Sequence, residues 1–266
     1  MTDAITLSTD CVALAIDGPI ATVVLNNPDK MNALTLDAWA GLGRVIAALS
    51  ENTDLRCVVI RGAGDKAFCA GADIADFVET RADAAQARDY GAVVAETLNA
   101  LVGCLHPTVA VIQGACTGGG LEIACCCDIR IANASSRFGV PINRLGHAFA
   151  YPEMAPVAAA VGRRMVLELL LEGRIMDSNK AERCGLVNRV VADKDLDAEA
   201  EATAGRISEG APLANRATKK FLNRLLDPTP LTREELDEAY ELCDSEDYAE
   251  GMRAFLAKEK PDFKGR

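Results

Sequence analysis

Two glycine-rich turns constrain this chain more than any other feature. One is Gly118-Gly119-Gly120-Leu121-Glu122; the other, about fifty residues earlier, is Phe68-Cys69-Ala70-Gly71-Ala72-Asp73. Each reads as a strand running into a glycine turn and then a helix. The first turn of a helix has no internal acceptors for its N–H groups, so such a junction presents free backbone donors. Two junctions with a glutamate three residues after Gly119 suggest an oxyanion hole beside an acid/base carboxylate.

The surrounding pattern is α/β. Val12 to Ile16 and Ile20 to Leu25 form a hairpin around Asp17-Gly18-Pro19. Thr35 caps a helix to about Glu51, with Leu36, Trp39, Leu42, Val45, Ile46 and Leu49 on one stripe. Cys57 to Arg61 and Thr108 to Gln113 are buried strands, separated by a long helix from about Ala82 to Leu105 that Pro107 closes. The Gly118 turn feeds a helix through Cys126, and short strands follow at Ile129 to Ala132 and Phe138 to Val140. Beyond Met154 the reading is mostly helical, with a brief strand at Val187 to Val191 and helices at about Ala211–Leu226 and Thr232–Lys258. Strand–helix alternation argues an α/β core, residues 1–205, carrying a helical capping or oligomerisation segment, residues 206–266.

Half the 266 residues are hydrophobic, enough for one sizeable core, and the net charge of −11 argues against nucleic acid and anionic membrane as partners. None of the ten cysteines forms a Cys-x-x-Cys pair, and with two histidines a metal site is poorly supplied. Reduced thiols and no signal-like start make a cytoplasmic protein the expectation. A P-loop needs Gly-Lys-[Ser/Thr], and a dinucleotide site needs Gly-x-Gly-x-x-Gly after the first strand; both are absent.

The ordered set of Asn26–Leu34, Ala67–Ile74, Gln113-Gly114 with Gly118–Glu122, Cys127–Ala132, Phe138-Gly139 and Glu250–Lys258 resembles the enoyl-CoA hydratase/isomerase (crotonase) superfamily over nearly the whole chain. The resemblance implies a spiral of repeated ββα units that holds an acyl-CoA thioester, with coenzyme A as part of the substrate and no separate cofactor. It places the oxyanion hole on the amides of Ala72 and Gly119, and the acid/base on Glu122. It assigns Lys30, Met31, Ala33, Leu34, Ala70, Asp73 and Ile74 to the coenzyme A side. Phe255 and Lys258 match positions that often serve a neighbouring subunit. A homotrimer or dimer of trimers is implied as well. The leading activity is an enoyl-CoA hydratase-like lyase of fatty acid metabolism. Isomerisation, decarboxylation, thioester hydrolysis and coenzyme A binding with weak catalysis are the alternatives.

One departure matters chemically. Hydratases of this family place a second glutamate just after Phe-Gly-x-Pro, where this chain has Ile142. An isoleucine neither donates nor accepts a proton. His147, Tyr151 and Glu153 follow within a segment that also departs from the family pattern, and each is a candidate for the pocket. Asp73 also reads as a helix cap. Asp128 and Arg130 read as a structural pair, and Cys125–Cys127 as core.

Overall fold

The computed structural model describes residues 11–266. The chain opens with the hairpin β1 (Val12–Asp17) and β2 (Ile20–Leu25), followed by α1 (Leu36–Glu51), whose first turn Thr35 caps by accepting from the Ala38 N–H. Next come β3 (Cys57–Gly62), β4 (Ala67–Cys69), α2 (Phe77–Thr80) and α3 (Ala84–Val102). The pattern then repeats: β5 (Thr108–Ile112), β6 (Ala115–Thr117) and α4 (Gly119–Cys126); β7 (Ile129–Asn133), β8 (Arg137–Gly139) and α5 (Tyr151–Glu172). The chain continues through β9 (Met176–Asp177), α6 (Ser178–Arg183), β10 (Arg189–Val191), α7 (Leu196–Glu209), α8 (Pro212–Arg224), α9 (Arg233–Glu241) and α10 (Glu246–Ala257).

After the opening hairpin, whose two strands both join the larger sheet, each ββα unit contributes its first strand to that sheet and its second to another. The larger sheet runs β1-β2-β3-β5-β7-β10, parallel apart from the hairpin; the smaller runs β4-β6-β8-β9, antiparallel only at β8/β9. This is the ββα spiral expected from the resemblance. The larger sheet is covered on both faces. Val58, Ile60, Ala110 and Ile112 face the main core, while Cys57, Val59, Val109 and Val111 pack with Leu196, Ala200 and Ala204 of α7. Two-sided burial explains why β3 and β5 read as continuous apolar runs rather than alternating ones.

Several boundaries move. The helix expected to Leu105 ends at Val102, and the strand expected from Val187 begins at Arg189. Strand β6 is the strand expected to run into the Gly118 turn, whereas β9 was not anticipated; at two residues it is too short to show a period of two. The single helix expected over Thr232–Lys258 is two, α9 and α10, because the Ser245 side chain accepts from the Tyr248 N–H and starts a new helix. Asp128 and Arg130 do not pair with each other. Asp128 accepts from the Thr108 N–H and hydroxyl and pairs with Lys219 at 2.9 Å, whereas Arg130 donates to the carbonyls of Leu186 and Cys127. The ten thiols are unpaired. Cys125, Cys126 and Cys127 are buried, as a core reading requires. Among the described residues no helix is long and apolar enough to cross a membrane.

Candidate active site

The second strand of each repeat ends in the same place. Ala70–Ala72 after β4, Thr117–Gly119 after β6, and Pro141 with Ile142 after β8 all line one cavity of about 300 Å³. Strands running in parallel deliver their carboxyl ends to one side of a sheet, which is where α/β folds open a crevice for ligands.

The first two turns touch. A Cβ built on Gly71, whose φ is 101°, would lie 3.0 Å from the Thr117 carbonyl oxygen and 3.1 Å from the Gly119 nitrogen. Glycine is therefore required twice over at position 71, by conformation and by contact. The pairing that fixes this turn leaves one donor over. Leu34 N–H donates to the Gly71 carbonyl and Asp73 N–H to the Leu34 carbonyl, so Ala72, the residue between, forms the bridge with its own N–H unused. In the second turn the Gly118 N–H donates to the Gly139 carbonyl, and the Gly118 carbonyl accepts from Leu121 and Glu122. The Gly119 N–H, at the head of α4, has no acceptor among the described residues. Trp39 braces it from behind, since a Cβ on Gly119 would meet the indole at 2.5 Å.

Glu122 stands one turn into α4 on the cavity wall and is 5 % exposed. Burial pushes its carboxyl well above the usual carboxylate range. The negative charge of Glu153 adds to that rise, and the Arg81 guanidinium opposes it.

Of the candidates near the missing carboxylate, Glu153 reaches the same cavity. It sits in the first turn of α5, 6 % exposed, and one carboxylate oxygen accepts from the Ala150 N–H at 2.9 Å. Glu153 is thus at once a helix cap and part of the cavity wall. Ile142 and His147 also line the cavity. Tyr151 does not: it is 89 % exposed at the start of α5, where the backbone has already turned outward, and its candidacy is withdrawn.

The residues assigned to the coenzyme A side divide. Ala70 and Ile74 line the cavity. Lys30, Met31, Ala33 and Leu34 form a loop docked on the first turn, with the Met31 carbonyl accepting from the Ala70 N–H. Leu34 is fully buried in the core and meets the site only through its backbone, so a side-chain contact from it is excluded. Lys30 Nζ pairs with Asp73 Oδ2 at 2.6 Å, holding the Asp73 carboxyl below its ordinary range, and Asp73 Oδ1 accepts from the Ala75 N–H as a cap. Phe255, on α10, and Lys258, its left-handed C-cap, are exposed and outside this cavity.

Sequence reasoning missed Arg81 and its two aromatic neighbours on the wall, Phe77 and Tyr90. Arg81 ends α2, and its guanidinium carbon lies 5.0 Å from the Phe77 ring centre and 5.4 Å from that of Tyr90. Phe77 and Arg81 are one helical turn apart, the Arg81 N–H donating to the Phe77 carbonyl, but Tyr90 lies beyond a helix break, so no single helical spacing brings all three together.

Three turns, two unused amides and two buried carboxylates around one cavity define an α/β enzyme of the ββα-spiral class. A family model described as enoyl-CoA hydratase/isomerase matches residues 15–266. The crystal structure of an enoyl-CoA hydratase/carnithine racemase from Magnetospirillum magneticum superimposes with a TM-score of 0.96 at 50 % identity, covering 98 % of this chain and 99 % of that one. The crotonyl-CoA hydratase of Syntrophomonas wolfei is 34 % identical over 255 residues, 95 % of this chain and 97 % of its own length. The short-chain-enoyl-CoA hydratase of Clostridium acetobutylicum is 34 % identical over 260 residues, covering 96 % and 98 %. The chain belongs to the enoyl-CoA hydratase/isomerase (crotonase) family.

Proposed function

We propose that this enzyme adds water across the double bond of an enoyl-CoA thioester. The thioester oxygen would lie between the amides of Ala72 and Gly119, and Glu122 and Glu153 would handle the protons. The observation that carries this reading is the pair of unused N–H groups on two touching turns, beside a carboxyl whose pKa burial raises. Hydration puts a hydroxyl on Cβ and a proton on Cα, and negative charge passes through the thioester oxygen on the way. Two fixed donors stabilise that charge where it develops, each worth roughly 3–4 kcal/mol of barrier. Two carboxyls on one wall can divide the work between an acid and a base. Glu153 thereby takes the part that Ile142 cannot, from the neighbouring element on the same wall.

Coenzyme A would run from the cavity along the loop Lys30–Leu34. The site is proposed to work in a trimer or dimer of trimers, with Phe255 and Lys258 serving a neighbour's ligand, and the proposed setting is cytoplasmic. The deciding experiment follows loss of enoyl-thioester absorbance with crotonyl-CoA. Glu122→Gln and Glu153→Gln are each expected to lower kcat by about 10²–10⁴. Unchanged turnover in Glu122→Gln would reject its role. Tight acyl-CoA binding without turnover across a substrate panel would instead identify a binding protein.

A further inference from the structure

We propose that the acyl group this enzyme accepts carries a carboxylate remote from the thioester, held by Arg81, with Arg144 at the cavity rim. The inference rests on the acyl-thioester reading and adds the chemistry of the far end of the acyl chain.

Arg81 is half-buried on the cavity wall, and no carboxylate among the described residues lies within ion-pair distance of it. A guanidinium presents five N–H donors and no acceptor. Its one side-chain neighbour is a poor acceptor. Arg81 Nη2 lies 3.4 Å from His147 Nδ1, but that nitrogen is also 2.8 Å from the Ala148 carbonyl oxygen. A single ring nitrogen cannot donate to the carbonyl and accept from the guanidinium at once, and the shorter contact favours donation. The guanidinium is nevertheless held in place, over the faces of Phe77 and Tyr90, which are themselves edge to face with centroids 5.4 Å apart. A fixed, partly desolvated cation facing a cavity asks for an anion, and its planar fork matches a carboxylate best.

Arg144 adds a second cation to the same wall. It follows Ile142 in the turn after β8, donates to the Gly173 carbonyl at 3.2 Å, and has no ion pair among the described residues. Val94, Leu145 and Phe149 complete an apolar wall suited to methylenes. Glu122 and Glu153 stand in the same cavity, so an acyl carboxylate is tolerated only where an arginine offsets their charge.

Calorimetry with saturated, unreactive thioesters tests this. The ω-carboxyacyl-CoA thioesters from succinyl- to suberyl-CoA are each compared with the unsubstituted acyl-CoA of equal length, and with its ω-trimethylammonium counterpart. All share the coenzyme A phosphates, so ratios within a length isolate the far end. At the best-fitting length the carboxylate is expected to bind roughly tenfold tighter than the neutral chain, and the ammonium weakest. Arg81→Gln is expected to bring the ratio near one, and Arg81→Lys to leave an intermediate value, because the charge stays while the fork is lost. No preference for a carboxylate at any length, or a loss in Arg81→Gln that is equal for all three end groups, overturns the inference and marks Arg81 as a phosphate contact or a wall. Failure of every thioester to bind defeats the acyl-thioester reading itself.

Discussion

Glu122 shows how far a single residue can be read from sequence. Its identity and place in the first turn of a helix after three glycines were legible, because they depend on neighbours in the chain. Its ionisation was not. The groups that desolvate it and crowd it with charge come from α5 and the end of α2, distant in sequence. The same distance hid Glu153, whose local signature is an ordinary helix cap, and Arg81, whose one local partner is Phe77 a turn earlier. A carboxyl whose folded-state pKa lies above its unfolded one keeps a proton that the unfolded chain releases. Between those two values, each rise in pH therefore favours unfolding. Glutamine has no proton to lose. Glu122→Gln is expected to be more stable than the parent above the ordinary carboxylate range, with the gap in urea midpoint widening as the pH rises from the unfolded carboxyl's pKa toward the folded one. Parallel midpoints across that range would mean the folded protein holds Glu122 ionised.

At the scale of elements, the spiral depends on backbones that approach more closely than a Cβ permits. Gly120 begins α4 against β4, and a Cβ there would fall 2.2 Å from the Cys69 carbonyl oxygen. Backbone cannot yield as a flexible side chain can, so Gly120→Ala is expected to cost about 3 kcal/mol in denaturant melts. Gly91, in the middle of α3, has open space around its Cβ position. Gly91→Ala should stabilise by about 0.8 kcal/mol through helix propensity alone. The pair separates packing from propensity, and equal effects at both sites would contradict the close approach of α4 to β4. Helices with a polar face and the two-sided strands β3 and β5 were legible, since burial writes a period or a run into their residues. Strands β4, β6 and β9 hold two or three residues each and carry no period, so the smaller sheet was the part of the fold that sequence pattern left open. The split of α9 from α10 turns on the Ser245 cap, which a continuing apolar stripe concealed.

The whole molecule ends in three helices that are tied to the core yet leave apolar surface uncovered. The tie is specific: Lys219 of α8, 8 % exposed, donates to the His106 carbonyl at 3.1 Å and pairs with Asp128. Around it, Leu222, Leu225, Leu226, Leu236, Tyr240, Phe255 and Leu256 are each more than half exposed. Isolated exposed leucines need no explanation, but several together on the last helices and the turn after α8 supply the apolar surface that the proposed oligomer would cover. Light scattering is expected to give three or six times the chain mass. Replacing Leu225 and Leu226 with glutamate places two charges where the neighbour would pack, and the mass should fall toward that of one chain while the helical circular dichroism stays. A single-chain mass for the parent protein would remove the oligomer from the proposal, and with it any part for Phe255 and Lys258 in a neighbour's site. An unchanged oligomer in the double variant would move the interface elsewhere, because exposed positions that tolerate two glutamates are not packed against anything.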